Sequence, residues 1–210
     1  GSAAHLAYGD GAAALRTGPD APARLVGHAC LTGDFVDRYT SRDHPAPYVY
    51  EERFVRDTAV ADLIVPAIRQ ACAAAGIEPS AIAHAACAEP VGGSWKAAAK
   101  QLKCAAPNHC EALTDAAGDL GAAHPLYALG LAFAAAQTGD HVLLLGFGSG
   151  VDALILAVDG PVPGAAEMAA LLGQGAVIDH ADVRRMLAQM RAETFAARAI
   201  GLACAVALDM

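Results

Sequence analysis

Apolar and polar residues follow one another along this chain with two distinct periods. Through residues 51–75 apolar side chains return every three or four positions, which predicts a long amphipathic helix, and Gly76 supplies its end. The short apolar runs at 82–87 and 141–145 are instead typical of buried strands. Helical and strand patterns in succession indicate an α/β protein.

The remaining predicted elements continue this mixed order. Residues 32–50 are irregular because prolines and charged side chains break any period. Further strands are predicted at 6–15, 24–31 and 151–158, with a weaker one at 111–114, and further helices at 94–102, 126–137, 165–172 and 181–207. The pattern predicts a mixed sheet followed by a helical C-terminal extension, rather than a complete doubly wound domain.

Composition narrows the class of protein. The 210 residues are 55% hydrophobic but only 5% aromatic, so the core is built from small aliphatic side chains. A net charge of −8 and the absence of a basic run argue against nucleic-acid binding. No apolar run approaches the roughly 20 residues of a membrane span, and no signal peptide opens the sequence. We therefore expect neither a nucleic-acid nor a membrane partner.

Six cysteines are scattered without a CxxC pair, which favours reduced thiols and a cytoplasmic location over a disulfide framework. A zinc site from Cys87, Cys104, Cys110 and His109 is the alternative, but it lacks paired ligand spacing. The sequence therefore predicts no metal site.

Two glycine-rich segments are predicted at neighbouring element ends, at 118–123 and at 146–150. Glycine lets the backbone and a ligand approach closely, and α/β proteins place ligands at such ends. The predicted ligand contacts are Gly118, Gly121, Gly146, Phe147 and Gly148. The alternative for the second segment is a tight hairpin without a ligand.

Six motifs stand in a suggestive order: YGDGAAAL, DFVDRY, YEERFVRD, AAAKQL, GDLGAAHP and VLLLGFGSG. In this order they resemble the thiolase superfamily, nearest to its ketoacyl-synthase III and hydroxymethylglutaryl-CoA synthase-like branch. The resemblance runs from about residue 6 to about residue 158 and covers the second half of such a protein. It implies the C-terminal half of a thiolase-like αβαβα sandwich, a mixed sheet with helices on both faces. Residues 1–160 would form this half, 1–17 being the last strand of the preceding half, and 161–210 a linker and helical extension.

The resemblance also implies a chemistry. Such enzymes make or cleave a carbon–carbon bond next to a thioester, using a cysteine nucleophile and hydrogen-bond donors for the developing oxyanion. Acyl-CoA would be the substrate, and no covalently bound cofactor is implied. The cysteine of the family lies upstream of the GDGAAA motif, so we expect another segment or chain to supply it. A non-catalytic pseudo-ketosynthase subunit, which stabilises or gates an active partner, is the alternative.

Two positions depart from the family pattern. No histidine stands near Ala88, where the family places one, and Asp119 replaces the asparagine of its second loop. An ionised aspartate accepts hydrogen bonds but donates none, so it would repel an oxyanion.

We therefore predict Asp119, His124 and Glu89 as substitute catalytic residues. The structural alternatives are a helix-capping Asp119 and a packed His124; Glu89 in an apolar loop would act as a general base. Cys87 is either a small core residue or a substitute nucleophile.

One half of a sandwich leaves a helix layer without its cover, so the resemblance implies an obligate complex. The expected partners are a related thiolase-like chain or N-terminal half and, by resemblance only, a small OB-fold zinc-ribbon protein. Four arginines in the C-terminal extension would meet a CoA phosphate, or would instead form a solvated helix face or a subunit contact: Arg184, Arg185, Arg191 and Arg198.

Overall fold

The computed structural model describes residues 9, 11–36, 39, 41–43, 48, 51–148 and 150–173. The chain divides into two compact units, Gly1–Ala170 and Leu171–Met210, and the fold below belongs to the first. The helix predicted at 181–207, with its four arginines, lies outside the described residues.

A four-stranded mixed sheet forms the centre of the fold. Its strands are β1 (Ala23–Thr32), β2 (Ile82–Cys87), β3 (His141–Gly148) and β4 (Gly150–Val158). In the order β1-β4-β3-β2, β4 runs antiparallel to both of its neighbours and β2 runs parallel to β3. The predicted strands at 24–31, 82–87, 141–145 and 151–158 are confirmed.

The predicted long helix is confirmed and is continuous, although it changes its winding. It comprises α1 (Glu52–Thr58), a π-helical segment (Ala59–Ile64) and α2 (Val65–Ala75). Gly76 ends it in the left-handed conformation at φ 70°, as predicted. By length and composition its 24 residues would suit a membrane span, but half of its most apolar window is buried and α2 packs on β1 and β4. It is the core helix of this fold.

Helices lie on both faces of the sheet, as predicted. Four more are described: α3 (Ser94–Leu102), α4 (His109–Ala117), α5 (His124–Ala135) and α6 (Ala165–Gly173). Leu143 and Leu145 of β3 join the main core with α2 and α3, while the alternating Val142 faces the other side, where α4 and α5 lie. Short 3₁₀ turns occur at Pro79–Ala81 and Gly121–Ala123.

Two predicted strands are wrong. Residues 111–114 belong to α4, because the side chain of Asn108 accepts a hydrogen bond from the Cys110 N–H and caps the helix start. The strand at 6–15 is not formed by its described part, Gly9 and 11–15. The Gly9 N–H donates instead to the carbonyl of Asp119, so this segment lies on the 119 turn and joins no strand.

The described residues of the glycine segment at 146–150 form the tight hairpin that was the alternative interpretation of this segment, and most of them belong to strands. Gly146, Phe147 and Gly148 continue β3, and Gly148 pairs with Gly150 across a tight hairpin. Gly150 has φ 140°, and a Cβ there would collide with the carbonyl of Leu31 in β1. The glycine therefore allows β1 and β4 to approach closely at this end.

Candidate functional site

A cavity of about 1050 Å³ lies where three parts of the fold meet. Its walls are the segment after β2, the face of α4 with the 119–125 turn, and the β3–β4 hairpin with the end of β1. Seven of the eight predicted site residues line it: Glu89, Asp119, Gly121, His124, Gly146, Phe147 and Gly148. Gly118 is the exception, because it serves as the C-cap of α4 at φ 76°.

Glu89 caps a helix. Its carboxylate accepts hydrogen bonds from the backbone N–H groups of Gly93 (2.8 Å), Ser94 (3.2 Å) and Trp95 (3.2 Å), which are the free donors at the start of α3. Burial raises the pKa of Glu89, while the bonds from Trp95 and Gly93 act against that rise. The carboxylate is thus occupied in holding α3, which gives Glu89 a structural role beside the catalytic one predicted for it.

Asn108, which the sequence analysis did not select, ties the cavity wall together. Its Oδ1 accepts from the N–H groups of Cys87 (2.9 Å) and Cys110 (3.2 Å). Its Nδ2 donates to the carbonyl of Cys87 (3.0 Å) and to Glu89 Oε1 (3.4 Å). A side chain only 7% exposed therefore joins the end of β2, the Glu89 segment and the start of α4. The signal in the sequence was the pattern Asn-x-x-Glu at 108–111, a capping box.

Asp119 closes a turn at the rim of the cavity. Its Oδ1 accepts the N–H of Gly121 at 2.8 Å, a side-chain bond two residues ahead that is typical of aspartate in turns. Gly121 has φ 60°, the left-handed conformation that this turn requires. An asparagine would preserve the same acceptor, so the turn itself does not require an acid at 119.

His124 is buried, with 6% of its surface exposed, and both ring nitrogens have partners within the chain. Nδ1 accepts the N–H of Leu120 at 3.2 Å, which places the proton on Nε2. Nε2 then donates to the carbonyl of Cys110 at 3.1 Å and lies 3.2 Å from the Thr114 hydroxyl. His124 thus fixes the start of α5 against α4. Proton exchange with a ligand would require one of these bonds to open.

The glycines of the hairpin leave space where side chains would stand. A Cβ at Gly146 or Gly148 would meet no heavy atom within 4 Å, so each faces open space in the cavity wall. Phe147 points differently: its ring packs edge-on against Phe35 at a centroid distance of 5.7 Å and contacts the main core. The wall is therefore formed by bare backbone at 146 and 148.

The described thiols are poorly ionised. Burial raises the pKa of Cys87 and Cys110 far above the ordinary value, and raises that of Cys72 to about 11. The exposed Cys30 has a pKa raised by its hydrogen bond to Asp152 and by the charge of that residue. A nucleophilic cysteine needs a lowered pKa, so none of these thiols is poised as a nucleophile.

The charged side chains around the cavity are predominantly acidic. Among the described residues that line it, five are acidic and none is lysine or arginine: Glu89, Glu111, Asp115, Asp119 and Asp152. The described lining residues therefore offer no lysine or arginine that could bind a CoA phosphate.

Among the residues that the structure describes, α4 and α5 pack on only part of one sheet face beside the cavity. Gly27 and Ala29 of β1 face α2, so the alternating His28 and Cys30 point to the other side, where α4 and α5 contact only β2 and β3 among the main packing partners. His28, Cys30 and their neighbour Asp152 on β4 are exposed.

Solved structures share the fold of the described residues. No protein-family model matches the sequence, and no curated protein matches it. The structure of 3-oxoacyl-(acyl carrier protein) synthase III, FabH, from Pseudomonas aeruginosa PAO1 matches with a TM-score of 0.51 and 20% identity, over 66% of this chain and 45% of that chain. The corresponding synthase from Aquifex aeolicus VF5 matches with a TM-score of 0.50 and 16% identity, over 67% of this chain and 46% of that one.

MvaS in complex with 3-hydroxy-3-methylglutaryl coenzyme A matches with a TM-score of 0.46 and 16% identity, over 70% of this chain and 44% of that chain. The chain thus spans slightly under half the length of the proteins it matches. At these identities the likeness establishes the fold alone. The described part of the chain has a thiolase-like fold, that of about one half of a 3-oxoacyl-(acyl carrier protein) synthase III.

Proposed function

We propose that this chain forms one wall of an acyl-thioester site in a thiolase-type enzyme that makes or cleaves a carbon–carbon bond. The observation that carries the proposal is the cavity of about 1050 Å³, into which the fold gathers the two glycine segments and the segment after β2. Ligand sites range from roughly 300 to 1,000 Å³, so this volume suits a substituted thioester. Acyl-CoA is the proposed substrate class, and Asp119 and His124 are the proposed side chains at its acyl end.

The reacting thiol comes from another segment or chain in this proposal. The described cysteines have raised pKa values, and a thioester exchange requires a thiolate. The cavity also borders the uncovered side of β1 and β4, where Cys30 and Asp152 line it. A related thiolase-like half seated on that side would cover the exposed sheet and supply the nucleophile and the cations that this half lacks.

A non-catalytic role is the second candidate, and particular contacts favour it. The Glu89 carboxylate is occupied by three backbone N–H groups, and both nitrogens of His124 are engaged within the chain. A subunit that only stabilises or gates an active partner would have the same fold without free acid–base groups. A reduced, cytoplasmic setting and an additional OB-fold zinc-ribbon partner belong to either version of the proposal.

The first experiment identifies the partner. The complex is purified from its native source, and co-eluting chains are identified by mass spectrometry. The enzyme proposal expects a thiolase-like chain with one cysteine that iodoacetamide labels, and that acetyl-CoA protects. A stable monomer without such a chain contradicts it.

The second experiment tests whether the cavity is the site. The Cβ of Gly146→Leu would meet no heavy atom within 4 Å, so the complex should remain assembled while acetyl-CoA no longer protects the thiol. Gly18→Leu is the control, because a Cβ there also meets nothing within 4 Å and Gly18 does not line the cavity. If Gly146→Leu leaves both protection and turnover unchanged, the non-catalytic role is the correct one.

A further inference from the structure

Two imidazoles meet on the sheet face covered by α4, apart from the residues that line the cavity. His84 lies on β2 and His109 is the first residue of α4. The Nδ1 of His84 and the Nε2 of His109 are 3.2 Å apart. From this geometry we propose that His84 and His109 form a two-imidazole binding site for a divalent transition metal, with Zn²⁺ as the representative ion.

The distance between the nitrogens fits a shared metal. Zinc binds imidazole nitrogen at about 2.0–2.1 Å in tetrahedral geometry, which places two such nitrogens about 3.3 Å apart. The observed N···N distance of 3.2 Å matches this separation between two zinc ligands. A direct N–H···N hydrogen bond between the two rings also fits this distance. The hydrogen-bonded pair and the metal-binding pair therefore differ in the position of one proton.

Asp140 orients the pair for metal. Its Oδ2 lies 3.8 Å from the other nitrogen of His84, Nε2, and is held in place by the N–H of Gln137 at 2.8 Å. A carboxylate in this position favours the proton on Nε2, which leaves the Nδ1 lone pair pointing at His109. Metal-binding histidines commonly donate their second ring N–H to a carboxylate, and at 3.8 Å Asp140 is within a small shift of that contact.

Only one proton has to move for the metal to bind. With His84 protonated on Nε2, the Nε2 proton of His109 shifts to its Nδ1, and both facing nitrogens then offer lone pairs. A metal ligand has to be a neutral imidazole, and these tautomers provide one on each ring.

The site is open rather than closed. No group of three or more histidine, cysteine, aspartate or glutamate side chains that could hold a metal occurs in the described part of the chain. Two water molecules would therefore complete a tetrahedral zinc. His84 is 17% exposed, which leaves room for them. Bound zinc would tie β2 to the start of α4, directly beside Asn108.

The experiment uses the full chain titrated with ZnCl₂ and followed by ¹H–¹⁵N imidazole spectra. The proposal expects one equivalent of zinc to shift the resonances of His84 and His109 while those of the exposed His28 stay unchanged. This measurement requires no substitution. The competing exposed thiol is removed in a Cys30→Ser background.

Calorimetry then compares variants in that background. His84→Gln and His109→Gln should each abolish the site, and Asp140→Asn should weaken binding by about tenfold or more, as loss of an orienting carboxylate does. His28→Gln is the matched control and should bind as the parent does. Unshifted His84 and His109 resonances at saturating zinc, or unchanged affinity in both glutamine variants, would overturn the proposal.

Discussion

Asn108 is the only asparagine in the chain, and its replacement by alanine should loosen the cavity wall severely. Asn108→Ala removes the N-cap of α4, which costs about 1 kcal/mol. It also leaves the N–H and the carbonyl of Cys87 without their partners, and Cys87 is only 2% exposed. Each of these two unsatisfied buried groups costs about 1–3 kcal/mol, so with the lost cap the free energy of unfolding should fall by about 3–7 kcal/mol in all.

Urea unfolding measures this loss, and the chain provides its own reporter. Trp95 is the only tryptophan, is 5% exposed, and donates its indole N–H to the carbonyl of Ala106, close to Asn108 in sequence. Its fluorescence should report a lower midpoint with an unchanged m-value. Asn108→Asp keeps both acceptor bonds but replaces the donor with a carboxylate oxygen facing Glu89 and the Cys87 carbonyl, so it should not restore the stability of the parent. Gln101→Ala, on the exposed side of α3, should change stability by less than about 0.5 kcal/mol.

An Asn108→Ala loss below about 1 kcal/mol at unchanged m-value would refute the reasoning, since even the helix cap alone is worth that much. A changed m-value would instead mean that the unfolded or native ensemble had altered.

Two further predictions concern the same fold. Because burial raises the pKa of Glu89, the folded chain holds this proton more tightly than the unfolded chain, and stability should fall as pH rises above the ordinary value of 4.5. Glu89→Gln should flatten that slope in urea unfolding at several pH values, and an unchanged slope would contradict it. Gly27→Ala should destabilise the chain by about 1–3 kcal/mol, because its Cβ would meet the backbone of α2 at Ala71 and Ala75. Gly18→Ala has open space around it and should be neutral, so equal midpoints for the two variants would argue against this close packing of β1 on α2.

The elements whose limits were predicted correctly have ends that local residues mark. The β2 strand and the α3 helix were predicted at their observed limits, since an apolar run ends before a glycine turn and a helical run follows it. The α4 helix was missed because its apolar run around Leu113 is too short to show a helical period, and its start is marked only by the capping pattern at Asn108. The pattern of apolar and polar residues thus predicted the type of an element correctly where glycine or polar residues marked its ends.

The site was predicted less completely, for a physical reason. The glycine segments and Glu89 could be located from the sequence, but the partners of each side chain depend on which elements the fold brings together. His84 and His109 are 25 positions apart and meet only because α4 packs on β2. Likewise, the hydrogen bonds that occupy His124 come from α4 and from the turn before α5. No local pattern contains such contacts.

The bare backbone at Gly146 has a consequence for how such a cavity changes over evolutionary time. Because a side chain at 146 would extend into open space and not into the core, residue size there, as at 148, changes the free volume of the cavity. Alanine, valine and leucine at 146 would each fill more of the cavity than the residue before it in this series. The neighbouring Phe147, packed on Phe35, keeps the strand anchored while its neighbour varies. The volume of the cavity and the packing of the strand thus depend on adjacent residues on opposite faces of β3.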